Sequence, residues 1–148
     1  MEDKYEPLRL KNQLCFPMYL CAKEIQRRYT PFLDVINLTY TQYVVMMYLW
    51  ENGSANVKSI GKALLLDPST LTPLLKKLES KGYLTRTRSK EDERNLIIEL
   101  TDEGEALRDR AIEVPSKMGK CLNLTDEEAA ELYRVLYKVL QNLENDKD

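Results

Sequence analysis

The chain has 148 residues, a formal net charge of −2 and no histidine. This length suits one domain. Without histidine the chain lacks the usual metal ligand and the base of Ser-His-Asp or Cys-His catalytic sets. Cys15, Cys21 and Cys121 form neither a C-x-x-C pair nor a zinc pattern, so we expect free thiols, no metal and no cofactor. Neither a signal peptide nor a long apolar run is evident, so we expect a soluble, cytoplasmic protein that does not enter membranes.

The first predicted element is a helix from about Leu10 to Tyr29, with apolar residues at helical spacing. We expect Pro31 to close it, because a proline inside a helix removes a backbone hydrogen bond. Pro17 suits the first turn, where no donor is missed, and this places Cys15 near a helix N-terminus. Such a position favours the reactive thiolate, although a cysteine on an apolar stripe is more often a small packing residue.

Two shorter helices are predicted next. Thr39 and Gln42 fit a capping box at the start of a helix that runs through Trp50 and ends at Asn52 and Gly53. A third helix is expected over about residues 57–65. The chain up to this point therefore predicts a mainly helical structure.

The following segment predicts a helix with one packed face and one free face. Asp67 is a possible N-cap with Pro68 at the first helical position, and Gly82 lies just past the end. Pro73 would break a backbone bond in that helix, so either the helix begins near Thr72 or its first turn is distorted. The predicted packed face consists of Leu71, Leu74, Leu75 and Leu78. The opposite face is free to contact a partner.

A charged hairpin is predicted directly after this helix. Residues 83–87 and 96–100 are rich in β-forming side chains and flank a polar tip at 88–95. Residues 57–101 carry nine basic and six acidic residues, a net charge of +3, whereas 102–148 carry seven and twelve, a net −5. The basic residues of the helix and hairpin are Lys76, Lys77, Lys81, Arg86, Arg88, Lys90 and Arg94. This local charge indicates DNA binding, and the alternative is an ordinary solvated face.

The last third of the chain predicts two more helices. Asp102 and Glu103 suit the start of one, which Pro115 must kink or end. Thr125 and Glu128 form a second capping box before a final helix. Its apolar face consists of Ala129, Leu132, Leu136, Val139, Leu140 and Leu143. Apolar stripes on the first and last helices indicate an interface between two copies, and the alternative is packing within one chain.

Several of these segments resemble the MarR family of bacterial regulators. Asp92, Arg94, Leu100 and Thr101 reproduce the family's wing pattern D-x-R-x-x-x-x-x-L-T, and KLESKGYLTR precedes it as in the family. QLCFPMYLCAKEIQRRYTPFL together with LTYTQYVVM resembles the OhrR subgroup, the organic hydroperoxide resistance regulators, and their relatives of the SarZ and MgrA type. The likeness covers nearly the whole chain and is strongest over residues 13–101.

The resemblance implies a mainly α fold with a small β wing. In this interpretation 1–148 is a single MarR-type domain, with a winged helix-turn-helix at 54–101 between dimerisation helices at 8–38 and 102–146. The expected partners are operator DNA and a second copy of the chain. By resemblance, Arg94 enters a minor groove and Asp92 holds the wing's shape. The candidate DNA-binding residues are Ser69, Thr70, Thr72, Lys76, Lys77, Arg86, Arg88, Lys90, Asp92 and Arg94.

The resemblance also implies an oxidant sensor. Cys15 matches the cysteine that peroxide oxidises, and Tyr19, Tyr29 and Tyr40 match the tyrosines around it, the latter two from the other subunit. Cys121 lies roughly where a second subunit's resolving cysteine occurs, and the alternative is a one-cysteine route through an external thiol. Cys21 is a poorer partner for Cys15, because six helical residues separate Cα atoms by about 10 Å, beyond the about 7 Å a disulfide tolerates.

The function expected from these features is a peroxide-responsive repressor that releases operator DNA when Cys15 is oxidised by organic hydroperoxide. A MarR-type regulator released by a small aromatic ligand is the alternative within DNA binding. A thiol peroxidase is a third interpretation, which the helix and wing disfavour.

Overall fold

The computed structural model describes residues 3–146. Two short 3₁₀ turns, Glu6–Leu8 and Leu10–Asn12, precede the first α-helix. The main elements are α1 (Cys15–Asp34), α2 (Tyr40–Asn52), β1 (Ala55–Asn56), α3 (Val57–Leu64), α4 (Pro68–Ser80), β2 (Leu84–Arg88), β3 (Leu96–Leu100), α5 (Asp102–Ala111), α6 (Val114–Leu122) and α7 (Asp126–Asn145). The mainly α fold with a small β wing is confirmed.

The described chain divides into two compact units, residues 3–114 and 115–146. The first contains α1–α5 and the sheet, and its core is a single cluster of buried side chains. The largest fully buried members are Leu33, Ile36, Met46, Leu49, Ile60, Leu71, Leu75, Leu78, Leu84 and Ile98. The single domain over 1–148, with dimerisation helices at 8–38 and 102–146, stays a prediction.

Helix α1 differs from its prediction at both ends. It begins at Cys15, because the residues from Leu10 onward form a 3₁₀ turn, and it continues through Pro31 to Asp34. The prediction that Pro31 closes the helix is wrong. Pro31 is exposed, so only one solvent-facing backbone bond is lost, while Leu33 in the same turn is 1 % exposed and anchors the last turn in the core.

Helix α2 begins as predicted. The Thr39 side chain accepts a hydrogen bond from the Gln42 backbone N–H, and the Gln42 side chain accepts one from the Thr39 N–H. Gly53 follows the helix with a φ of 77°, a conformation that glycine adopts without steric cost. At the far end, the Trp50 indole N–H donates to the Gly104 carbonyl at 2.9 Å and ties α2 to α5.

Helix α4 resolves the two alternatives for its start. It begins at Pro68, with Asp67 at the N-cap but making no side-chain capping bond, and Pro73 lies within it. Pro73 removes only the bond to the Ser69 carbonyl, and both residues are exposed to solvent. The apolar face is buried as predicted, at Leu71, Leu74, Leu75 and Leu78. Gly82, with a φ of 83°, follows the helix end as expected.

The sheet has three antiparallel strands in the order β1-β3-β2. Leu84 pairs with Leu100 and Arg88 with Leu96, so the wing strands lie within one residue of their predicted limits. The pairing of β1 with β3 was not predicted, because a two-residue strand is too short to show an alternating pattern.

The C-terminal region contains one more helix than predicted. Helix α5 ends at Ala111, and Pro115 is the second residue of the separate helix α6. Thr125 and Glu128 make both bonds of the predicted capping box of α7. Much of the apolar face of α7 is exposed to solvent, including Leu132, Leu136, Leu140 and Leu143.

Candidate functional site

The outer face of α4 carries the polar residues that were predicted to touch DNA. Ser69, Thr70, Lys76 and Lys77 are exposed, and Thr72 is half-buried. They lie on the outer face of α4 because the leucine row on the opposite face is buried in the core. Short hydroxyl side chains near the N-terminal end of a helix permit close approach to a groove, and the two ammonium groups one turn later supply positive charge.

The wing tip is closed by its own hydrogen bonds. The Asp92 carboxylate accepts the Arg94 N–H at 3.0 Å, and the Asp92 carbonyl accepts the Asn95 N–H at 2.9 Å. The Ser89 N–H donates to the Asn95 carbonyl at 2.8 Å. Asp92 thus shapes the turn that carries Arg94. Among the residues that the structure describes, the exposed Arg94 guanidinium makes no ion pair.

Two of the predicted DNA-binding arginines are held within the fold. Arg86 pairs with Glu79 of α4 at 3.0 Å, and its side chain is 21 % exposed. Arg88 donates to the Glu93 carbonyl at 2.9 Å and braces the hairpin. Lys90 is exposed at the tip. Glu79 was missed at the sequence level, because nothing in its local pattern shows that it meets a strand seven residues on. The Arg86 hydrogen bond lowers the pKa of Glu79.

Cys15 is the first residue of α1, and its thiol is free and exposed. Pro17 lies in the same first turn, as predicted. Tyr19 is one helical turn further along and is 61 % exposed. The N-terminus of this 20-residue helix therefore presents a sulfur and a phenol ring toward solvent.

Tyr29 and Tyr40 meet within one chain, with ring centroids 4.8 Å apart. Tyr43, which was not predicted, joins them at 5.9 Å from Tyr29. Burial, and then the neighbouring Tyr29 and Tyr40, raise the pKa of Tyr43 to about 12. Tyr29 lies fourteen residues after Cys15 in α1, about 21 Å along a helix axis, so the two do not meet within one chain. The structure thus brings two of the three predicted pocket tyrosines together, away from their own Cys15.

The other two thiols are free and exposed. Cys21 lies within α1, and Cys121 is near the end of α6. Within residues 3–146, no group of three or more His, Cys, Asp or Glu side chains is arranged to hold a metal ion. No helix in that range is both long and apolar enough to span a bilayer.

Comparison with known proteins places this arrangement in a family. Residues 27–111 match the family described as transcriptional regulator SarA/Rot. The chain is 41 % identical over 143 residues to the organic hydroperoxide resistance transcriptional regulator of Bacillus subtilis, covering 97 % of both chains. The chain belongs to the MarR-type transcription regulators, in their OhrR group. The family resemblance seen in the wing and the first helix is therefore confirmed.

Solved structures of this MarR-type group share the whole fold. Reduced AbfR of Staphylococcus epidermidis bound to DNA has a TM-score of 0.84 and 36 % identity, covering 99 % of this chain and 100 % of that one. Disulfide-formed AbfR has a TM-score of 0.66 and 36 % identity, covering 93 % of this chain and 96 % of that one. The Bacillus subtilis relative is a transcriptional regulator, and AbfR is a protein that binds DNA.

Proposed function

We propose that this MarR-type regulator is a dimeric repressor that binds operator DNA when reduced and releases it when organic hydroperoxide oxidises Cys15. The observation that carries the proposal is an exposed thiol at the first residue of α1, in a chain 41 % identical to a hydroperoxide resistance regulator. A helix N-terminus stabilises negative charge, and the attacking form of cysteine is anionic.

The proposed DNA contacts follow the two exposed parts of the winged helix. The α4 residues Ser69, Thr70 and Thr72 approach bases or backbone in a major groove, while Lys76 and Lys77 neutralise phosphates. Lys90 and Arg94 reach DNA from the wing, Arg94 in a narrow minor groove whose negative potential attracts a guanidinium. Arg86, Arg88 and Asp92 serve the same interface by fixing the shape of the wing, since their side chains are engaged there.

Dimer formation is supported by apolar surface that one chain leaves exposed. Leu14 of α1 is 76 % exposed, and Leu132 and Leu143 of α7 are 48 % and 58 % exposed. Apolar area of this kind gains about 25 cal/mol per Å² when it is removed from water. A two-fold dimer also carries two recognition helices, which fit successive major grooves about 34–36 Å apart. In such a dimer the Tyr29 and Tyr40 pair of one subunit faces Cys15 of the other.

The redox chemistry requires two balanced steps. The Cys15 thiolate attacks the peroxide, an S–O bond forms as the O–O bond breaks, and the alkoxide leaves as the alcohol after taking a proton. The thiolate of Cys121 of the second subunit then attacks the sulfenic acid, an S–S bond forms and water leaves after protonation of the departing hydroxide. The disulfide-formed structure of AbfR supports this second step.

The chemistry is tested by treating the purified protein with one equivalent of cumene hydroperoxide per subunit. Mass spectrometry should find oxidation at Cys15, and a non-reducing gel should show a covalent dimer that dithiothreitol reverses. Cys121→Ser should keep the oxidation but lose the covalent dimer. Cys21→Ser is the matched control and should still form the dimer. A covalent dimer that persists in Cys121→Ser would move the resolving role to Cys21 or to a second Cys15.

The same reaction separates a sensor from a thiol peroxidase. A sensor consumes about one equivalent of hydroperoxide per Cys15 and stops until it is reduced, whereas an enzyme with dithiothreitol present turns over many times. We expect stoichiometric consumption without added reductant and only slow cycling with it. Rapid continuous turnover would contradict the role as a regulator without catalysis.

A second candidate function is release of DNA by a small aromatic ligand. A cavity of about 670 Å³ lies between α3, α4 and the wing, a size typical of ligand sites. Leu71, Leu75 and Leu96 line it together with the guanidinium-bearing Arg86 and Arg94. Benzoate should displace DNA from the non-oxidisable Cys15→Ser protein if this cavity is regulatory. If benzoate does not displace DNA while hydroperoxide releases it from the parent, oxidation is the supported mechanism of release and the aromatic ligand is excluded.

A further inference from the structure

Lys81 directly follows α4, the proposed recognition helix, and is hydrogen-bonded to the corner between α1 and α2, residues 35–42. Its ammonium donates to the Asn37 carbonyl at 2.7 Å and to Gln42 Oε1 at 2.9 Å. Gln42 is 4 % exposed and Lys81 is half-buried, so this bond is partly shielded from water. Lys81 belongs by sequence to the basic set around α4, but two of its three donors are used at this corner and not for phosphates.

Hydrogen bonds within the corner position the two oxygen atoms that accept from the Lys81 ammonium. Asn37, three residues after the end of α1, adopts a left-handed conformation with a φ of 56°, and its carbonyl accepts the ammonium of Lys81. Gln42 Oε1 also accepts the Thr39 N–H at 3.1 Å, as half of the α2 capping box. One amide oxygen thus joins the start of α2 to the end of α4. Burial, and then the charge of Lys77, lower the pKa of Lys81.

The same corner belongs to the elements that carry the sensor. Cys15 opens α1, and Tyr29, further along that helix, packs against Tyr40 at the first position of α2. Tyr40 is two residues before Gln42, in the same helical turn. A displacement of Tyr40 or of α1 would therefore also move Asn37 and Gln42, which accept the hydrogen bonds of Lys81.

We propose that Lys81 is a positioning residue that couples the α1–α2 corner to the recognition helix, so that oxidation at Cys15 changes operator affinity through this ammonium. The proposal rests on the proposed redox function. When the corner moves, the ammonium either follows its two acceptors and rotates the end of α4, or it leaves a buried amide oxygen without its charged donor. The first outcome changes the position of α4 relative to the DNA grooves, and the second releases the end of α4 from the α1–α2 corner.

Four variants distinguish a loss of coupling between the corner and α4 from a loss of the Lys81 charge and from a loss of stability. Lys81→Met keeps the apolar stem and removes the donors, whereas Lys81→Arg restores a charged donor. Gln42→Leu removes the acceptor without changing any charge, at a residue that is buried and so does not touch DNA. Thr39→Ala is its matched control, because it removes the other capping-box bond and leaves the Lys81 contact intact.

The readout is the ratio of Kd for oxidised and reduced protein on a duplex that the reduced parent selects from a random pool. This ratio should fall by about tenfold in Lys81→Met and Gln42→Leu, equivalent to about 1.4 kcal/mol, and should stay near the parent's in Lys81→Arg and Thr39→Ala. The non-reducing gel should show equal disulfide formation in all four. A role in stability alone would weaken both redox states equally and keep the ratio.

The outcomes distinguish this proposal from the one it rests on. A parent whose affinity ignores oxidation would overturn the redox function and the coupling together. A parent that responds while Lys81→Met and Gln42→Leu respond equally would overturn the coupling alone. If Lys81→Met does not fold, the comparison of Gln42→Leu with Thr39→Ala decides, and equal ratios for that pair contradict the coupling role.

Discussion

Glu79 of α4 accepts hydrogen bonds from Arg86 of the first wing strand, β2, through both of its carboxylate oxygens. Glu79 Oε2 accepts the Arg86 backbone N–H at 3.0 Å, and Oε1 accepts the guanidinium Nη2 and Nε at 3.0 and 3.2 Å. The wing is therefore joined to α4 by three hydrogen bonds in addition to the backbone turn between them. This contact constrains the angle between α4 and the hairpin.

The first prediction concerns the pH dependence of this pair. Arg86 lowers the pKa of Glu79 below its usual 4.5, so the pair stabilises the fold above that pH, and the contribution is lost as the pH falls through the lowered pKa. Glu79→Gln should lower Tm at neutral pH, and the difference from the parent should shrink toward zero in acid. Glu99→Gln, on exposed β3 surface, is the control for the charge change. A Tm difference independent of pH would contradict the assignment.

The second prediction concerns the charge at the wing tip. Arg94→Ala should weaken binding to the selected duplex and reduce the slope of log K against log salt by about one, because one fewer counterion is released. Lys4→Ala removes a cation outside the winged helix and should leave the slope unchanged. Fluorescence anisotropy across a salt series measures both. An Arg94→Ala protein with the parent's affinity and slope would exclude this residue from the interface.

The third prediction concerns the hydroxyls of α4. Thr70→Ala and Thr72→Ala remove no charge, so the salt slope should stay that of the parent while the preference for the selected duplex over random DNA falls. A lost base contact typically costs about 1–3 kcal/mol in discrimination. Competition binding with random-sequence duplex measures the loss. Retention of the full sequence preference in the double variant would rule out base readout from this part of the helix.

Elements whose signals are local could be predicted from the sequence. The capping boxes at Thr39 and Thr125 form within three residues, and both are present in the structure. The leucine row of α4 is buried because its spacing matches the helical repeat. Pro31 shows the limit of local rules, since burial of Leu33 in the core outweighs one missing backbone bond.

Contacts between distant elements could not be predicted in the same way. The Arg86 side chain meets Glu79 because the chain turns back after α4, and Lys81 meets Asn37 across 44 residues. In the sequence, Arg86 was a predicted DNA-binding residue and Lys81 one of the clustered basic residues, because a count of charges shows where they gather but not which groups they contact. The three-dimensional arrangement divides the basic set into residues held by contacts within the fold and residues whose side chains are exposed to solvent.

The most direct test of the account is a single binding cycle on one sample of the parent protein. Its Kd for the selected duplex is measured in the reduced state, after one equivalent of cumene hydroperoxide, and again after dithiothreitol, with Cys15→Ser in parallel. If oxidation of Cys15 releases DNA, the parent binds tightly when reduced, loses binding when oxidised and recovers it after dithiothreitol, whereas Cys15→Ser binds tightly throughout. Equal affinity of the parent in all three states, or a loss of binding that Cys15→Ser shares, would contradict it.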